Sequence, residues 1–254
     1  MTEHYRRRAP LHEILAQVED PTIEGLQTLD QFHSGGIKAT RDLAELAAIA
    51  RGEAVLDVGS GAGGPARLLA AERGAKVIGV DLTQDYVELA RALSAKANIT
   101  AEFRQANALE LPFADAAFDV VWTQHAAMNI ADRPRLYGEI RRVLKPGGRL
   151  ALHDIFAGPK GGPLHLPVPW ADGAEESFLM TPEALRQLLG QLGFVELGWQ
   201  DRTAITIAGF EQTATRKGYI HLLLGDNFPT MAANMRQNFG EGRVGAAMGV
   251  FRKR

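Results

Sequence analysis

The chain has 254 residues, 46% apolar and 23% charged, which suffices for one large core but falls short of two independent domains. A formal net charge of −2 offers no electrostatic attraction to nucleic acid or an anionic membrane. With no cysteine, disulfides, thiolate zinc sites and thiol nucleophiles are excluded.

No window approaches the ~20 apolar residues of a membrane-spanning helix. Glu3, His4, Glu13, Glu19 and Asp20 interrupt the apolar stretch that a signal peptide would need. A cytoplasmic protein acting without nucleic acid or membrane, as monomer or homodimer, is the expectation. The basic ends Arg6–Arg8 and Arg252–Arg254 read as solvated tails.

Residues 1–50 read as an N-terminal helical cap, with helical segments near 10–18 and 35–50. The remainder, 51–254, reads as one α/β unit. Ala54–Val58 is a buried strand running into the glycine turn Gly59-Ser60-Gly61-Ala62-Gly63-Gly64, and Pro65 suits the first turn of the helix that follows. Lys76–Val80 is a second strand; Thr83 is placed to cap a helix carrying Tyr86, Leu89, Ala90, Leu93 and Ala97 on one face.

Thr100–Gln105 and Phe118–Thr123 are the third and fourth strands. A helix from about Asp132 is stopped by Pro146-Gly147-Gly148. Arg149–Ile155 is the fifth strand. The Pro-, Gly- and aromatic-rich stretch 156–180 reads as a lid. A helix opening at Thr181 and ending at Gly193, a strand over 194–200, a mostly helical stretch over 203–240 and a last strand over 244–251 complete the chain. Strands alternating with helices imply a doubly wound, mainly parallel sheet whose ligands sit at the carboxyl ends of the strands.

Gly59, Gly61 and Gly64 satisfy the dinucleotide spacing G-x-G-x-x-G, so the turn alone is ambiguous. Asp57, two residues upstream, would oppose a docked pyrophosphate and favour a cationic ligand such as S-adenosylmethionine. Asp81 ends the second strand, where a carboxylate accepts hydrogen bonds from ribose hydroxyls in either kind of site. A nicotinamide-dependent oxidoreductase and a non-catalytic cofactor-binding protein remain the alternatives.

Over roughly residues 31 to 200 the chain resembles the class I S-adenosylmethionine-dependent methyltransferases. The resemblance is carried by Val55–Gly63, Gly79-Val80-Asp81-Leu82, Leu111-Pro112-Phe113 with Phe118–Val121, and Arg142–Gly148. It implies a Rossmann-like fold with a seven-stranded sheet, and S-adenosylmethionine as methyl donor with S-adenosylhomocysteine as product. It further implies that Gly59, Ser60, Gly61 and Gly63 pass near the methionine part, Asp81 and Leu82 lie at the ribose, and Ala106, Asn107 and Ala108 border the adenine. The family commonly carries Asp where Asn107 stands.

Asp30-Gln31-Phe32-His33-Ser34-Gly35-Gly36 resembles a segment of sarcosine/dimethylglycine and quinone or tocopherol methyltransferases, which makes His33 a cofactor or acceptor contact. Gln124, His125 and Asn129 follow the fourth strand at the ligand edge. His125 either accepts a substrate proton or holds the methionine part. His153 and Asp154, at the end of the fifth strand, either face the pocket as bases or pack in the sheet. His165, Trp170 and Phe178 in the lid either contact a small-molecule methyl acceptor or pack the lid down. The histidine spacings form no H-x-x-x-H or H-E-x-x-H pair, so no metal is expected.

Overall fold

The computed structural model describes residues 10–213, 223 and 225–254. The basic run Arg6–Arg8 and the helical reading of residues 214–222 and 224 lie outside these.

Seven strands form one sheet: β1 (Ala54–Val58), β2 (Lys76–Asp81), β3 (Glu102–Gln105), β4 (Phe118–Gln124), β5 (Leu144–Ala157), β6 (Phe194–Asp201) and β7 (Val244–Lys253), in the order β3-β2-β1-β4-β5-β7-β6. The ladders from β3 through β5 are parallel, and β7 runs antiparallel to both β5 and β6. The mainly parallel, doubly wound sheet expected from the alternation is therefore present. Because β1 has β2 on one side and β4 on the other, strand order reverses there, and a crevice opens beyond their carboxyl ends.

Successive residues of the central strands enter opposite cores. Val55, Val120 and Trp122 pack with Leu68, Leu69 and Val87 on one face, while Leu56 and Val121 pack with Leu136, Ile140 and Leu189 on the other. Period-two side chains buried on both faces explain why these strands read as continuous apolar runs.

The helices are α1 (Leu11–Ala16), α2 (Ile23–Asp30), α3 (Gly36–Leu46), α4 (Gly64–Arg73), α5 (Gln84–Ala97), α6 (Arg133–Val143), α7 (Pro182–Gln191), α8 (Thr203–Thr213) and α9 (Phe228–Gly240). Three of their starts follow local chemistry. Pro65 sits in the first turn of α4, Asp132 accepts from the Arg135 N–H at 3.0 Å, and Thr181 accepts from the Ala184 N–H at 3.2 Å. Gly193, at φ +81, lets the chain turn out of α7 into β6.

Four local readings need correction. Helix α2 falls where no element was expected: Thr22 caps it by accepting from Gly25 N–H at 3.1 Å, and Gly25 makes room for the Asp20 backbone. Thr83 occupies the cap position of α5, but its side chain makes no cap bond; its N–H donates instead to Asp81 Oδ1 at 2.9 Å. Strand β5 begins at Leu144, so Pro146-Gly147-Gly148 is an irregularity within the strand, between the pairs Phe118 with Leu144 and Val120 with Arg149. The expected last strand is present but runs on to Lys253, so Arg252 and Lys253 pair in the sheet rather than forming a solvated tail, and Lys253 Nζ donates to the Arg141 and Leu144 carbonyls.

The lid after β5 is irregular. It is pinned by Phe178 N–H to the Met128 carbonyl at 2.8 Å, Arg133 to the Phe178 carbonyl at 2.9 Å, and Asn238 Nδ2 to the His165 carbonyl at 2.9 Å. Val168, Trp170 and Ala171 bury against Ile155, Met235 and Phe239.

Candidate active site

The crevice at the strand reversal is one end of a cavity of about 1900 Å³. Its first end is built from sequence-local pieces. The turn after β1 folds back so that the Gly59 and Ser60 N–H groups both donate to the Val80 carbonyl, at 2.8 and 3.0 Å, and Gly61 N–H donates to Asp81 Oδ2 at 2.9 Å. Gly59 has φ +78, and a Cβ there would lie 2.4 Å from that of Ala126, so the turn tolerates no side chain against the β4 end.

Gly59, Ser60, Gly61, Asp81, Leu82, Ala106, Asn107 and Ala108 all line this end, joined by Tyr86 and Phe32, whose rings are 5.9 Å apart. Asn107 Oδ1 accepts from the Leu109 N–H at 2.9 Å, an Asx turn that shapes the loop. Leu82, half exposed, offers an apolar face beside the Asp81 carboxylate.

Two expected contacts are absent from the cavity wall. Gly63 caps α4 at φ +82, and a Cβ there would lie 2.6 Å from the Phe103 ring, so this glycine serves packing. Asp57 is 1% exposed, and Oδ2 is buried without a hydrogen-bond partner. Burial, and then the neighbouring Asp81, push its carboxyl up to about 8. Asp57 thus lies behind the cavity wall, mostly protonated at neutral pH, and does not touch the cavity.

The second end is assembled from distant segments. His125 has φ +49, an uncommon left-handed backbone for a residue with a side chain, held by its N–H donating to the His153 carbonyl at 2.8 Å. The rings of His33, His125 and His153 form a triangle, with centroids 4.8 Å apart for His125–His153, 5.8 Å for His33–His153 and 6.0 Å for His33–His125. Ser34 Oγ lies 3.2 Å from His125 Nε2 and 3.4 Å from His153 Nε2. Burial lowers all three imidazoles, His33 to about 4 and the other two well below their ordinary range.

Gln124 braces the triangle. Its Oε1 accepts from Trp122 Nε1–H at 3.0 Å and Thr40 Oγ1 at 3.3 Å, while Nε2 lies 3.4 Å from His153 Nδ1. His33, Gln124 and His125 reach the cavity, whereas His153 stands one layer behind them. Asp154 points elsewhere: its Oδ1 accepts from Ile155 N–H, and burial, partly offset by Arg133, raises it to about 7. Alternation along β5 sends these two neighbours to opposite faces.

Trp170 and Phe178 of the lid line the cavity together with Asn129, just after β4, whose Nδ2 donates to the Trp170 carbonyl at 2.6 Å. His165 does not line it. Its ring lies 3.1 Å from a Glu241 oxygen at the far side of the lid.

Residues that the sequence did not single out include Asp30, Gln31, Phe32, Ser34 and Tyr86. The first four sit in the segment quoted for His33, so the signal was adjacent. Asp30 forms a fully buried ion pair with Arg67, N to O 2.8 Å, and Arg67 also donates to the Ala62 carbonyl at 2.6 Å. Helix α2 is thereby tied to the glycine turn. Among the described residues, no three His, Asp or Glu side chains are grouped as a metal ion would require.

The strand order, with a glycine turn and Asp81 at the strand reversal, defines a Rossmann-like fold with its crevice at the carboxyl edge of the sheet. The chain belongs to the methyltransferase-domain family, whose profile matches residues 56–152. The O-methyltransferase resE of Aspergillus sclerotiorum is 32% identical over 190 residues, covering 72% of this chain and 68% of that protein. Two bacterial relatives, each 38% identical, are matched over about half of their length, 47% and 46%.

Among solved structures, the [4+2]-cyclase SpnF has a TM-score of 0.70 and 26% identity, covering 85% of this chain and 80% of that one. The geranyl diphosphate C-methyltransferase of Streptomyces coelicolor A3(2), solved with S-adenosyl-L-homocysteine, Mg²⁺ and geranyl-S-thiolodiphosphate, has a TM-score of 0.71. It is 20% identical and is matched over 85% of this chain and 76% of that one.

Proposed function

We propose that the chain transfers a methyl group from S-adenosylmethionine to a small-molecule acceptor, with His125 as proton acceptor when the nucleophile is a hydroxyl. The observation that carries this reading is one cavity joining an acidic, glycine-walled nucleoside corner to a wall of buried neutral imidazoles.

The residues fit the donor. Asp81 sets a carboxylate at the glycine turn, Asp57 behind it is mostly neutral, and the Arg67 cation buried beside them is engaged by Asp30. The Asp81 charge suits an ammonium and a sulfonium and opposes a pyrophosphate, which leaves the nicotinamide reading without support. The buried, unpartnered Ser60 Oγ, on the cavity wall, is a polar group for which a ligand or an ordered water would supply a partner.

When bound, S-adenosylmethionine would supply an electrophilic methyl, to which the acceptor bonds in line as the methyl–sulfur bond breaks and S-adenosylhomocysteine leaves. Alignment in a pocket closed to water provides much of the acceleration. On that reading Asp81 holds the ribose, Leu82 and the loop 106–108 flank the base, and Asn129, Trp170 and Phe178 face the acceptor. His125, neutral at pH 7, has a lone pair for the acceptor's proton, and Ser34 Oγ links it to His153.

Calorimetry with S-adenosylhomocysteine and NADH, followed by incubation with methyl-labelled cofactor and a panel of hydroxyl, amine and carbon acceptors, tests this. Binding of S-adenosylhomocysteine alone and appearance of label in an acceptor are expected. Binding of NADH instead, or consumption of an acceptor without label, would refute methyl transfer.

A further inference from the structure

The nucleoside end uses only part of the cavity. A drug-sized pocket occupies roughly 300–1,000 Å³, so about 1900 Å³ holds a nucleoside cofactor and a second molecule of at least comparable bulk. The walls away from the glycine turn come from the lid, α8 and α9: Trp170, Phe178, Ile205, Phe210, Phe228 and Met235. Ile205 is 52% exposed and Phe178 37%. Large apolar side chains left open toward a cavity mark a surface that an apolar ligand covers.

The charged groups in this part of the wall point the same way. Asp132, Glu175 and Glu176 are acidic. Among the described residues of the wall the cations are Lys38, held by both oxygens of Asp42 at 2.8 Å, and Arg236, which is exposed and donates to the neutral Phe210 carbonyl at 3.5 Å. A phosphate monoester needs convergent Arg, Lys or helix-N-terminal donors. Here the start of α6 is already capped by Asp132, whose carboxylate would repel an anion.

We propose that the acceptor is a bulky, mostly apolar molecule without a phosphate, of polycyclic or macrocyclic size, which lies against the lid, α8 and α9 and presents its nucleophile to His125. This rests on the methyl-transfer reading for its reaction, but not for its binding.

The experiment titrates the full chain with Nile red, an uncharged polycyclic dye, with and without saturating S-adenosylhomocysteine, and challenges the complex with phosphocholine. Saturable, blue-shifted emission is expected. It should weaken about tenfold or more in Ile205→Glu and in Phe178→Ser and resist millimolar phosphocholine. Thermal melting of both variants, whose changed side chains are open to the cavity, checks that they remain folded. Absence of saturable binding, displacement by phosphocholine, or binding unaffected by both folded variants would overturn the proposal. Failure of S-adenosylhomocysteine to bind would instead break the methyl-transfer reading and leave the dye result standing.

Discussion

The two ends of the cavity are built in different ways. The nucleoside end comes from strand ends and turns close in sequence: Gly59–Gly61, Asp81–Leu82 and Ala106–Ala108 all follow consecutive parallel strands. The proposed acceptor end draws on α2 and α3, the ends of β4 and β5, the lid, α8 and α9, and no short segment contains it. The first end is fixed by backbone hydrogen bonding in the sheet, and the second by how separate layers pack. Substitutions should therefore act on cofactor affinity at the first end and on turnover at the second.

The largest effect is expected where the second end does chemistry. His125→Ala should lower turnover of a hydroxyl acceptor by about 10²–10⁴-fold, the usual worth of a positioned base, with S-adenosylhomocysteine affinity unchanged by calorimetry. A parallel loss of affinity would merge the two ends and remove the contrast drawn between them.

At the nucleoside end, Asp81→Ala should weaken S-adenosylhomocysteine binding by about 1–3 kcal/mol. Asp81 Oδ1 and Oδ2 also accept from Thr83 and Gly61 N–H groups. A lower melting temperature should thus accompany the loss of affinity, and Asp81→Asn should fall between the two. Unchanged affinity would show that the ribose does not sit here.

The imidazole triangle should give the fold an acid limb. His33 falls from its ordinary 6.5 to about 4 through burial. The unfolded chain therefore binds the extra proton between these values. Its contribution is intact above pH 6.5 and lost as pH falls toward 4, on the order of 3 kcal/mol. Asp57, raised to about 8, slopes the opposite way, favouring the fold as pH falls from 8 toward 4. Comparing urea unfolding of the native chain and His33→Gln across this range isolates the histidine. Identical pH profiles would contradict its buried, neutral state.

The smallest effect belongs to the lid's outer side. His165→Ala should leave kcat and KM within about twofold, as for surface positions generally, because the ring faces Glu241 rather than the cavity. A clear rise in KM for the acceptor would place the lid differently.

Much of this molecule was readable from the chain alone. Alternating apolar strands and helices gave the doubly wound sheet, and the glycine turn and Asp81 fall at one end of the cavity, because these features depend on local periodicity and backbone geometry. Asn129, Trp170 and Phe178 were also placed at the cavity, yet His165 from the lid was not separated from them. Irregular chain has no period from which to infer direction. Along β5, His153 and Asp154 were left open because alternation fixes that neighbours differ, while the face each takes depends on the layers packed against the sheet.

Sequence by itself thus determined the fold class and the acidic glycine corner, since strand period, turn chemistry and charge are encoded within a few residues. Only the tertiary structure decided that Asp57 lies behind the wall, that Gly63 answers to Phe103, and that His33, Ser34, His125 and His153 meet. Ser34 and His153 lie 119 positions apart in the chain. Their encounter is set by packing of the N-terminal helices across the sheet's carboxyl edge, a long-range outcome that no local pattern records.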